Sequence, residues 1–224
     1  MSELDKYTLN LDDWHTPATE YPEIQEGNVR IRKLKYTRGC YEMYGIDGML
    51  IYEVMKPLII TQLQELRGKR WHSWMVDDPP HYRAMEIYAQ HSHGRVLVAG
   101  LGLGLVLHAL VKNPDVTEIV VVEKNIDVIR LMCDLIPPKP RIVHDDFLTY
   151  VDRGLGKWDT IIVDLWVSRN VDEKMRLFRE EVVPMAVYLN TKFPDTQKVF
   201  HGFHTLSDIK HTTPEMLDLI KRVM

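Results

Sequence analysis

The stretch RVLVAGLGLGLVLHALVK, residues 95–112, constrains the chain more than any other: an apolar run enters a turn of three alternating glycines and leaves it as a helix. Such strand-to-helix turns open parallel α/β units. Glycine at Gly100, Gly102 and Gly104 lets the backbone come close to a ligand or take φ values that a side chain disfavours. A tight turn with no ligand is the plainer reading of the same residues. The spacing is G-x-G-x-G, with Leu105 where a dinucleotide fingerprint would place its third glycine, so pyrophosphate binding is disfavoured.

From Arg95 onward, short Val/Ile/Leu runs alternate with helical patterns. RVLVAG, TEIVVVE, RIVHDD, KWDTIIVDLW and QKVFHGF read as strands. Helices are predicted over Leu103–Lys112, over NIDVIRLMCDLI up to Pro137, over FLTYVDRG, over 172–191 and over TPEMLDLIKRV. Continuous apolar strands separated by helices imply a doubly wound, mostly parallel α/β sheet covered on both faces. Upstream, residues 28–77 read as a small β-rich region. NVRIRKLKY alternates as a half-exposed strand does, Asp47-Gly48 sits between two β-rich runs as a hairpin turn would, and PLIITQLQELRGK fits a strand or a short helix. Residues 1–27 are expected to lie over the rest as a mobile arm, and Asp78 to cap a helix opened by Pro79-Pro80.

Four strand ends carry polar or glycine residues. After the glycine turn, Glu123 closes the second strand about 20 residues on, the separation expected of an acid that binds a ribose diol. Asp145 and Asp146 follow the third strand, and Asp164 closes the fourth. Ligands of doubly wound sheets bind beyond the carboxyl ends of the strands. Any one of these acids is explained by solvation; all of them at strand ends is harder to explain that way.

Taken in order, these residues resemble the class I S-adenosylmethionine-dependent methyltransferase superfamily, and within it the spermidine synthase-like branch, over roughly residues 78–203. RVLVAGLGLG looks like the first glycine motif, VVVEK like the ribose-binding strand end, HDDF like the segment flanking adenine, WDTIIVDLW like the strand carrying the catalytic-edge acid, and LFREEVV like the helix before the fifth strand. The resemblance implies a Rossmann-like S-adenosylmethionine-binding domain over 78–224. Gly100, Gly102 and Gly104 would face the methionine part of the cofactor, Glu123 would hold the ribose, and Asp145 with Asp146 or Phe147 would contact adenine. Asp164 would be the catalytic residue at the reacting centre. Two acids of the polyamine synthases are absent, being Leu103 and Val167 here, and Arg83 stands in PPHYRAM where they have an acidic helix start. These departures favour methyl transfer to a small-molecule acceptor. Aminopropyl transfer, cofactor cleavage to methylthioadenosine, and cofactor binding without catalysis are the alternatives, with a NAD-dependent enzyme as a fourth.

Composition bounds the rest. The 224 residues, 45% hydrophobic, suffice for one sizeable core, and a net charge of -4 argues against nucleic acid as a partner. No apolar run reaches the roughly 18 to 20 residues of a spanning helix, and the N-terminus lacks the basic-then-apolar order of a signal peptide, so a soluble, cytoplasmic protein is expected. Cys40 and Cys133 read as reduced thiols, and the ten histidines complete no recognised metal-ligand spacing. Arg179–Glu181 reads as a solvated helix face, WHSW as packing, and Trp166 equally as pocket wall or core. Only about 20 residues follow the fifth strand. The substrate side of the pocket is therefore expected from the N-terminal β region or from another subunit of a homo-oligomer.

Overall fold

The structure, a computed structural model, describes residues 7–9, 14–45, 48–167, 173 and 176–202. Its centre is a five-stranded, wholly parallel sheet formed by β8 (Gly94–Ala99), β9 (Val116–Glu123), β10 (Arg141–His144), β11 (Thr160–Val163) and β12 (Gln197–Phe200). The strand order is β10-β9-β8-β11-β12. The chain winds outward from β8 to β10, then returns to β11 on the other side of β8. The order therefore reverses between β8 and β11, which makes a crevice at their carboxyl ends.

Side chains on a strand alternate between the two faces, and here both faces are covered. Val96, Val98, Ile119, Val121 and Ile162 pack on one side with α1 (Pro79–His91), α2 (Leu105–Leu110) and α3 (Ile126–Met132). Leu97, Ala99, Val120, Val122, Ile161 and Val163 pack on the other with α4 (Phe147–Asp152) and α5 (Val183–Lys192). This explains the unbroken apolar runs in the sequence. Each of these valine, leucine and isoleucine side chains removed from water contributes about 1.5–3 kcal/mol.

The predicted helices that fall on described residues hold with three changes, the first being that α3 stops at Met132, short of the Pro137 expected to end it. The helix expected from Leu103 starts at Leu105, because Gly102 and Gly104 keep the turn open with positive φ. The one expected over 172–191 contains a π-helical turn at Phe178–Val182 ahead of α5, where Pro184 lacks the N–H that a regular α-helix would use. The expected last helix, TPEMLDLIKRV, lies outside the described residues. Among the described residues no helix is long and apolar enough to cross a membrane.

Upstream stand two further sheets. One is four-stranded and antiparallel, β2 (Ile24–Glu26), β3 (Val29–Tyr36), β6 (Leu58–Arg67) and β7 (Arg70–Val76), so the segment read as strand or helix is a strand. The other joins β1 (Tyr7–Leu9) to β5 (Gly48–Val54) and β4 (Gly39–Gly45). Gly45 pairs with Gly48 across the expected hairpin; Asp47 itself lies outside the described residues. Residues 14–26 do lie over the body, but they are packed into it. Thr16, Ala18 and Tyr21 are buried. The Asp77 carboxylate accepts from the Thr16 hydroxyl and the Thr61 N–H, and Lys33 Nζ donates to the carbonyls of Ala18 and Thr19 at 2.8 and 2.7 Å.

Candidate functional site

A cavity of about 460 Å³ opens at the carboxyl edge of the parallel sheet. Backbone hydrogen bonds carry the sheet pairing one step past the strands and hold their tips side by side: Gly100 N–H to the Val122 carbonyl at 2.9 Å, Asp145 to Glu123 at 3.1 Å, Asp164 to Ala99 at 3.1 Å and His201 to Val163 at 2.8 Å. As a result Gly100, Gly102, Glu123, Asp145, Asp146, Phe147 and Asp164 all line this one cavity. Gly104 does not. It stands at the start of α2 facing Ile136.

Glu123 is 6% exposed, and each of its carboxylate oxygens accepts one backbone N–H: Leu101 of the glycine turn at 2.9 Å and Asn125 ahead of α3 at 2.7 Å. A carboxylate oxygen has two lone pairs, so each oxygen of this cavity-lining residue retains one. Asp145 is paired with Arg153 at 2.9 Å, and Asp146 caps α4 by accepting the Thr149 N–H. Gly100 lies across the crevice from Asp164: at φ +91°, a Cβ there would stand 2.6 Å from the Asp164 carbonyl oxygen. Burial raises the Asp164 carboxyl above the ordinary aspartate range, with His81 opposing that shift.

The opposite wall comes from the N-terminal sheet, through a device that the alternation in WHSW did not disclose. In the pairing of β6 with β7, Leu63 faces Met75 while Gln64 faces Ser73, so Trp74 is an extra residue. Such a bulge bends a strand and re-aims its side chains. Ser73, Trp74 and Met75 therefore all reach the cavity. Met75 Sδ accepts the Leu103 N–H at 3.2 Å, and the Tyr21 hydroxyl donates to the Leu103 carbonyl at 3.3 Å. One residue of the glycine turn is thus gripped from both sides by the N-terminal region.

His81, Glu181 and His201 line the cavity as well. Glu181 is exposed, as expected of a solvated helix face, and at the rim of the cavity it accepts the Trp166 indole N–H at 3.1 Å. Trp166 is both pocket wall and core, since it also packs near Phe200 with ring centroids 6.4 Å apart. His81 is 7% exposed, its ring lies 4.8 Å from that of His201, and its buried Nε2 has no hydrogen-bond partner. His201 in turn faces the Tyr88 hydroxyl through Nδ1 at 3.3 Å. Among the described residues no group of three His, Cys, Asp or Glu side chains is arranged to hold a metal ion. A buried neutral ring leaves no sequence periodicity, so nothing in the text PPHYRAM marks His81.

The buried start of α1 makes a pH prediction. Burial lowers the His81 pKa to about 3, helped by His201, and raises that of Asp78, which caps α1 by accepting the His81 N–H, to about 7. Between about pH 4.5 and 6 the unfolded chain holds its one proton of this pair on the histidine, and the folded chain holds it on the aspartic acid, so the two pH slopes cancel. Asp78→Asn leaves the lowered histidine, whose contribution is lost as pH falls below about 6.5; His81→Gln leaves the raised acid, whose contribution is lost as pH rises from about 4 to 7. Urea unfolding across this window should show stability rising with pH in Asp78→Asn and falling in His81→Gln, each by up to about 1.4 kcal/mol per pH unit. Equal slopes in both variants would contradict the assignment.

No protein-family model matches the chain, and no curated protein matches it. Solved structures do. Spermidine synthase from Thermotoga maritima matches at 15% identity over 60% of this chain and 56% of that one, with a TM-score of 0.35. A spermidine synthase in complex with the transition-state analogue AdoDATO matches at 16% identity over 85% of this chain and 72% of that one, with a TM-score of 0.44. The C-terminal domain of precorrin-6Y C5,15-methyltransferase from Rhodobacter capsulatus matches at 14% identity over 49% and 68%, with a TM-score of 0.30. The match thus spans little more than half the length of the Thermotoga maritima enzyme.

Proposed function

We propose that the chain binds S-adenosylmethionine in this cavity and transfers its methyl group to a small-molecule acceptor. The observation that carries the reading is the gathering of Gly100, Gly102, Glu123, Asp145 and Asp164 around one cavity at the reversal of strand order. The residues fit that cofactor. Five carboxylates line the cavity against Lys124 as the one lysine or arginine among the described lining residues, which favours a cationic guest. Glu123 keeps one lone pair on each oxygen for the ribose hydroxyls, Asp145, Asp146 and Phe147 flank the adenine, and Gly100 and Gly102, whose missing side chains let the Asp164 carbonyl and Met75 close in, line the part of the cavity left for the methionine.

When bound, the cofactor supplies a methyl carbon on a sulfonium, an electrophile that needs little further activation. The protein's work is then to orient the acceptor, exclude water and take up a proton. Asp164, at the crevice and next to His81, is the residue placed to accept the acceptor's proton, a role in keeping with its raised pKa. Asp164→Asn is expected to lower product formation by about 100-fold or more while leaving cofactor affinity within a few-fold of the parent.

Calorimetric titration with S-adenosylmethionine and, separately, NAD tests the binding step. Mass spectrometry after incubation with a small-molecule extract tests the reaction. S-adenosylhomocysteine as product supports methyl transfer; methylthioadenosine would replace it with aminopropyl transfer or cleavage. Binding with no product, and no effect of Asp164→Asn, would make the chain a cofactor-binding protein without catalysis.

A further inference from the structure

We infer that the acceptor is a flat, uncharged aromatic molecule carrying a hydroxyl, held between Trp74 and Trp166 at the mouth of the cavity. It is an acceptor only if the function proposed above holds; the aromatic binding site itself can be measured apart from it.

Two kinds of observation meet here. The first is where the apolar surface lies. Trp74 packs on the core of one sheet face and Trp166 on that of the other, and the cavity runs between them. Around it stand Leu148, Leu165 and Val167, which are 38%, 36% and 39% exposed. Large apolar side chains left in water around a concavity mark a surface that something apolar covers. The indoles offer broad, rigid faces to a planar ring.

The second is the state of the acids. A polycationic acceptor needs carboxylates free to meet its ammonium groups. Asp145 is paired with Arg153, Glu123 and Asp146 are assigned to the cofactor in the function proposed above, and Glu181 holds the Trp166 indole, which leaves Asp164 as the acid for an acceptor. Past Asp164 the chain continues Leu165-Trp166-Val167, so a single acid opens onto an apolar lip. Beside that acid, His81 lines the cavity, and its buried Nε2, which has no partner in the protein, matches one hydroxyl.

The test uses the full chain with 2-naphthol and spermidine as probes, followed by calorimetry and tryptophan fluorescence, with S-adenosylmethionine titrated separately. Saturable 2-naphthol binding is expected, with none for spermidine. Trp74→Ala should weaken it about tenfold, the scale for truncating a buried aromatic anchor. Because Trp74→Ala can disturb the bulge, Val167→Asp on the exposed rim provides a second variant that should also weaken 2-naphthol several-fold at unchanged melting temperature. Spermidine binding, no binding of either probe, or 2-naphthol binding indifferent to both variants would each overturn the inference. Failure of S-adenosylmethionine to bind while 2-naphthol does would instead strike the function proposed above.

Discussion

Glu123→Ala is expected to reduce affinity for S-adenosylmethionine by more than about 100-fold, the largest binding effect of any single side chain here. The carboxylate ties the glycine turn to the approach to α3, through Leu101 and Asn125. Removing it takes away the proposed ribose contact and strands two backbone N–H groups near a largely buried position. Each stranded donor costs about 1–3 kcal/mol, so a stability loss of roughly 2–6 kcal/mol should accompany the loss of binding. Glu123→Gln separates the two effects. Its single carbonyl oxygen can serve one amide while its NH2 faces the other, so it should fold better than the alanine variant and still bind poorly. Calorimetry and urea unfolding on both variants decide the matter. Parent-like affinity in Glu123→Gln would reduce Glu123 to a scaffold for the turn.

Gly100→Ala is expected to cost the most stability. The residue sits at φ +91° with its would-be Cβ 2.6 Å from the Asp164 carbonyl oxygen, which is backbone and has no rotamer with which to yield. Strain from the left-handed conformation costs about 1–3 kcal/mol, and forcing β8 and β11 apart at their tips adds about as much again. Gly154→Ala is the matched control, with φ +69° but nothing within 4 Å, so it should show the conformational part alone. The difference in unfolding free energy between the two variants measures how closely the two sides of the crevice are packed. Equal losses would mean that the crevice gives way easily.

The half of the site on the parallel sheet was legible because its chemistry sits at strand ends, where periodicity marks the boundaries. Glu123, Asp145 and Asp164 each follow an apolar run, and register does the rest. Gly104 shows the limit of the same reasoning: three alternating glycines look equivalent as text, yet the third faces Ile136 behind the turn. The opposite wall was not legible. Trp74 and Met75 reach the cavity through a one-residue bulge, which shifts the period of the pattern from which a face is read. His81 was silent for another reason, since its significance lies in burial and in the company of His201, neither of which its neighbours in sequence announce.

The grip on Leu103 has an evolutionary consequence. Its N–H is held by Met75 and its carbonyl by Tyr21, so the glycine turn is shaped by residues from two upstream segments as well as by its own glycines. The upstream sheet is therefore not a detachable module. A chimera that joined this α/β half to a different N-terminal region would also have to find new partners for the turn, and sequence change at Tyr21 and Met75 is constrained by the backbone groups of Leu103 that they hold.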